Sequence, residues 1–210
     1  KQLRLLDIPY NVIDSKTKNF TQIIKNLKKK SINSQTPVAI VIRKNTFMKS
    51  IHNFSDKKKY NFLREDVIKD IIRATKDKNI TIVSTTGMAS RELYELRKKS
   101  NQNHFRDFLT VGGMGHASQI ATGLAFNSKK KIICIDGDGS MLMHTGSMGI
   151  SAQMNNLLHI VINNSSHDSV GGQPTLGKIL NLKEIGKSFG YKMCYSISKK
   201  RQLIKILNKC

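Results

Sequence analysis

The stretch from Lys131 to Gln173, KIICIDGDGSMLMHTGSMGISAQMNNLLHIVINNSSHDSVGGQ, limits what this chain can fold into more than any other. It begins with a continuous apolar run, Ile132 to Ile135, as expected of a parallel strand buried on both faces. The run breaks into Asp136-Gly137-Asp138-Gly139-Ser140, a strand end opening onto a loop. Glycines there let backbone N–H groups approach an anion, Asp138 offers a hard carboxylate to a divalent metal, and Ser140 adds a hydroxyl for phosphate. A second apolar run, Leu157 to Ile162, ends in Asn163-Asn164. Two strands thus deliver oxygen ligands at their carboxyl ends, the edge at which an open parallel sheet binds ligands. Asn164 follows Asp138 by 26 positions (164 − 138), which leaves room for a helix, a turn and a strand.

Around this stretch, helical and strand patterns alternate. A strand after Pro9, a helix with Phe20, Ile23, Ile24 and Leu27 on one stripe, and the strand Pro37 to Ile42 form the tail of an α/β unit, residues 1–45. Residues 46–60 are polar without a sustained period and read as a linker. Residues 61–210 then give a helix from about Leu63 to Thr75, a strand Ile80 to Val83, a helix opened by Ser90, a strand Phe108 to Val111 and a helix His116 to Phe126. After the central stretch come an irregular loop, Ser165 to Thr175, a helix Leu182 to Phe189, a strand Tyr191 to Ile197 and a last helix Lys199 to Leu207. This order predicts an α/β fold with a doubly wound parallel sheet. Ser84-Thr85-Thr86-Gly87 closes one strand with hydroxyls and a glycine. Such a turn can cradle a phosphate, while Ser90 serves equally well as a plain helix cap.

The formal charge of +22, from 36 Lys+Arg against 14 Asp+Glu, raises nucleic acid as a partner. The lysines are dispersed over separate turns, however, and no aromatic-studded basic face accompanies them, so no specific nucleic-acid recognition is expected. A positive field still attracts an anionic substrate. No apolar run is long enough to span a membrane and Lys1-Gln2-Leu3 does not open a secretory signal, so a cytoplasmic protein without a membrane partner is expected. Cys134, Cys194 and Cys210 lack metal-ligand spacing and read as core thiols.

Gly112-Gly113-Met114-Gly115 admits two explanations. Gly113-Met-Gly115-His-Ala-Ser118 is close to the dinucleotide fingerprint, with Asp136 about where a ribose-binding acid belongs, which suggests a nicotinamide enzyme. Ser118 stands at the third small position, and that reading leaves GDGS and the spaced NN unexplained. For GDGS and NN themselves, the plain alternative is a strand-end turn and a strand-capping asparagine.

GDGS followed at this spacing by NN resembles the magnesium–diphosphate signature of thiamine diphosphate enzymes. The resemblance implies thiamine diphosphate and Mg2+ as cofactors, with Asp138, the Asn164 side chain and the Ser166 carbonyl as metal ligands. It implies diphosphate contacts from Gly139 and Ser140, with Thr86 and Gly87 in the earlier turn. It implies that the Gly112 carbonyl accepts from the aminopyrimidine and that Met114 wedges the cofactor into a bent shape. One cofactor then accounts for three motifs.

TTGMASREL, TVGGMGHASQIATGLA, CIDGDGSMLMH and NNSSHDSVGGQPT together resemble the phosphonopyruvate decarboxylase family, from about Pro37 to Tyr191. HDSVGGQPT is the most discriminating piece, since sulfopyruvate decarboxylases resemble the chain over the cofactor motifs but are expected to differ after the asparagines. Gly113 stands where the family more often has serine, and Ser165-Ser166 where Gly-Ala is usual. The resemblance implies conversion of 3-phosphonopyruvate to phosphonoacetaldehyde and CO2. His116 and His167 are candidates for proton transfer or anion binding, Asp168 for ordering the loop or assisting protonation, and Gln173 for donating to substrate oxygen. It also implies that residues 1–45 end a pyrimidine-binding domain whose ylide-generating glutamate lies upstream. The chain is therefore expected to be an excerpt of a longer protein, or a subunit whose partner carries that glutamate. A homo-oligomer with its active site at a subunit or domain interface is expected, taking a 2-oxo acid that bears an anionic group. A sulfopyruvate or other 2-oxo acid decarboxylase subunit and a non-catalytic cofactor-binding module are the remaining alternatives.

Overall fold

The computed structural model describes residues 2–48 and 62–208. They belong to two compact units, Lys1–Asn53 and Phe54–Cys210. Most of the expected linker, residues 49–60, lies outside the described residues.

In the first unit a short helix, α1 (Gln2–Leu5), precedes strand β1 (Tyr10–Ile13), helix α2 (Phe20–Ser34) and strand β2 (Ala39–Ile42). β1 and β2 pair in parallel from Tyr10↔Ala39 to Ile13↔Ile42, with α2 as the crossover. Ile13 and Leu27 are its buried apolar side chains, and Phe20 meets Phe47 edge to face at 6.0 Å. α2 ends where Gln35 takes up a left-handed conformation, φ +51°.

The second unit runs α3 (Arg64–Thr75), β3 (Ile80–Ser84), α4 (Met88–Lys99), β4 (Asp107–Leu109), α5 (Ala117–Phe126), β5 (Lys131–Gly137), α6 (Asp138–Met143), α7 (Met148–Ser151) and β6 (Leu157–Ile162). There follow the two-residue strands β7 (Ser166–His167) and β8 (Gln173–Pro174), then α8 (Leu182–Ser188) and α9 (Lys200–Leu207). Four strands form a parallel sheet in the order β4-β3-β5-β6. Alternate side chains of β5 enter opposite cores. Ile133 and Ile135 pack with Ile68 and Ile71 of α3, Leu93 of α4 and Leu203 of α9. Ile132 and Cys134 pack with Ala117, Ala121 and Ala125 of α5. Each fully buried isoleucine contributes about 1.5–3 kcal/mol relative to exposure, and the small residues of α5 let that helix lie close on the sheet. Helices on both faces make the sheet doubly wound, as expected. The chain leaves β3 toward β4, returns over the sheet through α5 and continues outward from β5. The carboxyl ends of β3 and β5 therefore flank a topological switch point.

Local readings differ in three places. α4 begins at Met88 with Gly87 at its N-cap, so Ser90 lies inside the first turn. Its hydroxyl donates to the carbonyls of Thr85 (2.7 Å) and Ser84 (3.2 Å), tying the helix to the strand end. The loop after β6 is not irregular throughout, because β7 and β8 pair antiparallel, Ser166↔Pro174 and His167↔Gln173. The run from Tyr191 to Ile197 has a strand's composition but joins no ladder. Its anchors are side-chain contacts instead: the Tyr191 hydroxyl lies against His159 of β6 and the Cys194 thiol turns back to the Tyr191 carbonyl, while the backbone of the run stays unpaired with β6. A groove of about 570 Å³ separates them, bordered by Leu158, Ile160, Met193, Ile197 and Leu203. No helix among the described residues is long and apolar enough to cross a membrane.

Candidate cofactor site

Four loops meet at the switch point: those after β3, before α5, after β5 and after β6. Ser140 joins three of them. Its hydroxyl lies 2.9 Å from that of Thr85 and accepts from the Gly115 N–H at 3.0 Å. The Thr86 hydroxyl accepts from the Gly112 N–H at 3.2 Å, a second tie between the β3 end and the glycine loop. Gly115 has φ +87°, and a Cβ there would come within 2.5 Å of His144 Cδ2 and 3.0 Å of Met143 Cβ. Conformation and crowding both require glycine at that position.

Asp138 opens α6 and is almost wholly buried. Its carboxylate accepts from the Thr175 hydroxyl. Gly177 closes over it: a Cβ there would overlap the Asp138 carboxylate and lie 2.6 Å from Asn163 Oδ1. Asn163 Nδ2 donates to the Gly177 carbonyl at 2.7 Å, while its Oδ1 accepts from the Ser165 N–H at 3.0 Å. Asn164 Nδ2 donates to Asp168 at 2.7 Å and its Oδ1 accepts from the Ser166 N–H at 3.2 Å. Asp168 also receives Arg64 Nη1 at 3.1 Å. Arg64 grips Glu92 of α4 through Nε and Nη2, both at 2.9 Å. The bond to Glu92 above all, with Asp168 adding to it, holds the Arg64 guanidinium more firmly protonated despite partial burial. His167 lies over the loop, since a Cβ on Gly139 would sit 2.5 Å from its Cε1.

A cleft of about 80 Å³ takes in Thr86, Met114, Asp138, Gly139, Ser140, Asn164, Ser166, His167 and Asp168. It does not take in Gly87, Gly112, His116 or Gln173. His116 is exposed and lies on His144, ring centres 4.4 Å apart. Gln173 is exposed with its amide folded over Gly171, and Gly87 lies against Ser169. Asp136 faces His159 and also borders the cleft.

Carboxylate, amide and hydroxyl oxygens beside glycine backbone suit a hard cation and a diphosphate. The Asp138 and Asn164 oxygens are engaged by Thr175 and Ser166, bonds that metal coordination would exchange. The cleft is smaller than the roughly 300 Å³ at which small-molecule pockets begin. Sequence reasoning missed Arg64, Glu92, His144, Thr175 and Gly177. Thr175 and Gly177 carried a signal, a Thr-x-Gly turn just beyond the loop, whereas Arg64 and Glu92 meet only through the packing of α3 on α4.

Residues 85–210 match the family described as thiamine pyrophosphate enzyme, C-terminal TPP binding domain. The chain is 44% identical over 130 residues to the sulfopyruvate decarboxylase subunit beta of Methanocaldococcus jannaschii, covering 60% of this chain and 66% of that one. It is 37% identical over 121 residues to the phosphonopyruvate decarboxylase of Streptomyces viridochromogenes, covering 57% of this chain and 29% of that one. These matches thus span less than two thirds of either relative. A solved Mycobacterium smegmatis structure, described as a candidate thiamin diphosphate-dependent enzyme, superposes with a TM-score of 0.54 at 18% identity, over 80% of this chain and 34% of that one. That likeness speaks for the fold. The family match spans every loop of the site from Thr85 onward, and by it the chain belongs to the thiamine pyrophosphate enzymes and carries their C-terminal TPP-binding domain.

Proposed function

We propose that the protein takes part in thiamine diphosphate- and Mg2+-dependent decarboxylation of a short 2-oxo acid bearing a second anionic group, 3-phosphonopyruvate in the first instance. The observation that carries this reading is the convergence of GDGS, Asn164 and the His167-Asp168-Ser169 start of the following loop on one cleft at the switch point. Asp138, Asn164 and the Ser166 carbonyl would hold Mg2+ against the diphosphate, with Gly139, Ser140, Thr86 and Gly87 around it. Gly112 and Met114 would support the rings. When bound, the cofactor supplies a carbon nucleophile and a sink for the electron pair left by CO2. His167, at the cleft, would bind an anion or move a proton, and Asp168 would order the loop or assist protonation. His116 and Gln173 are exposed beyond it and would reach substrate after a local rearrangement. Residues 1–45 would end a pyrimidine-binding domain, and a further domain or partner subunit would supply the ylide-generating glutamate. A cytoplasmic homo-oligomer fits this chemistry.

Sulfopyruvate is the second reading, favoured by the 44% identity to a sulfopyruvate decarboxylase beta subunit. Competition among phosphonopyruvate, sulfopyruvate and pyruvate decides between them, with the natural full-length protein and any partner it needs. Preference for phosphonopyruvate, with kcat/KM lowered by His167→Ala while cofactor still binds, is expected. Preference for sulfopyruvate would leave only a thiamine-dependent decarboxylase of anionic 2-oxo acids.

A further inference from the structure

Beside the cofactor cleft, which Asp136 also borders, a second group of metal-ligating side chains lies on one face of the sheet. Cys134 and Asp136 are two residues apart on β5 and so point to the same face, and His159 of β6 is the direct cross-strand partner of Cys134. One ligand atom from each lies within 4.8 Å of the other two. His159 Nε2 and Asp136 Oδ2 are 3.5 Å apart, with side chains 3% and 0% exposed, and neither atom has a hydrogen-bond partner. Two orphaned polar atoms facing each other in the interior are costly unless something sits between them.

Their separation is long for a hydrogen bond but close to the roughly 3.3 Å edge of a tetrahedron with 2.0–2.1 Å metal–nitrogen and metal–oxygen bonds. The imidazole is already oriented for this task, because its Nδ1 lies 2.9 Å from the Tyr191 hydroxyl and Nε2 is thereby turned toward Asp136.

We propose that Cys134, Asp136 and His159 form a binding site for one thiophilic divalent cation of the zinc type, separate from the Mg2+ ligands. Thiolate and carboxylate together balance the double charge, and the sulfur–nitrogen–oxygen set selects zinc or cobalt over magnesium. The three side chains supply three corners, and water takes the fourth. A cation here clamps β5 to β6 two residues before Asp138, bracing the strand end that presents the cofactor loop.

The test is titration of the metal-stripped full chain with Co2+ in excess Mg2+, read by absorption. Expected is one equivalent bound per chain with a thiolate-to-cobalt charge-transfer band, absent in Cys134→Ser and shifted to more than about tenfold weaker binding in His159→Asn. No such band in the wild type, its survival in Cys134→Ser, or its displacement by Mg2+ would overturn the proposal. Because a core variant can misfold, zinc-edge anomalous diffraction from wild-type crystals equilibrated with Zn2+ gives an independent measurement. A peak among the three side chains supports the site, and its absence refutes it.

Discussion

The hydroxyls of Thr85 and Ser140 lie 2.9 Å apart although 55 positions separate them in the chain. They fasten the end of β3 to the start of α6 across the switch point, and the Gly115 N–H completes the junction. Ser140→Ala leaves that buried N–H without its partner, and the expected loss is about 1–3 kcal/mol of unfolding free energy. Urea denaturation measures it. A loss within error would mean that the junction relaxes without cost.

Gly177 presses on Asp138 so closely that a single methyl must displace the carboxylate, the Asn163 amide or the turn itself. Gly177→Ala should therefore cost about 1–3 kcal/mol and weaken divalent-dependent cofactor binding while leaving the GDGS sequence intact. Calorimetric titration next to a melting curve separates the two effects. Unchanged affinity would show that the Asp138 carboxylate has room to move.

What the sequence disclosed followed the range of each interaction. Ile132 to Ile135 read correctly as a doubly buried strand because burial on both faces is written in the residues themselves. That Asp138, Ser140 and Asn164 border one cleft is legible because they sit at strand ends, where pattern and position coincide. Tyr191 to Ile197 carries a strand's composition, yet pairing depends on the edge of β6, which the run does not join. Arg64 and Glu92 could not be foreseen: each looked like an ordinary helix-surface charge until α3 packed on α4. His116 and Gln173 lie outside the cleft, since side-chain direction in a glycine-rich loop is not legible from type alone.

Arg64 spans from α4 to the loop, pairing with Glu92 on one side and Asp168 on the other. Asp168 in turn orients Asn164. Arg64→Met should cost only about 1 kcal/mol of stability, since the pairs are partly solvated, but should speed amide hydrogen exchange across residues 164–170. Exchange unchanged in that segment would show that the loop is ordered by β7 and β8 alone.

Burial pushes the Tyr191 phenol from 10.0 up to about 12. The fold thus favours the neutral form, and the unfolded chain releases the proton first. The resulting stabilisation is complete below pH 10 and is lost as pH rises toward 12. Melting temperature should fall over that window, with a shallower slope in Tyr191→Phe, which carries no ionisable hydroxyl. Equal slopes would place the alkaline sensitivity elsewhere.

Asp138 and Asn164 border one cleft but belong to different strand ends, so a cation there would join α6 to the loop after β6 as well as neutralising diphosphate. Protein oxygens alone are too few to hold Mg2+, which keeps several waters and takes substrate phosphate as ligand. Metal and cofactor should therefore bind together, each weak without the other. In the natural full-length protein, calorimetry should detect thiamine diphosphate binding with Mg2+ present and none with chelator, and Asp138→Ala should lower affinity at least about tenfold, the loss that weakened metal coordination typically brings. Ca2+, also an oxygen-seeking cation, should substitute in part. Equal affinity in chelator, or in the variant, would remove Asp138 from the metal site and leave its contact with Thr175 as a purely structural one.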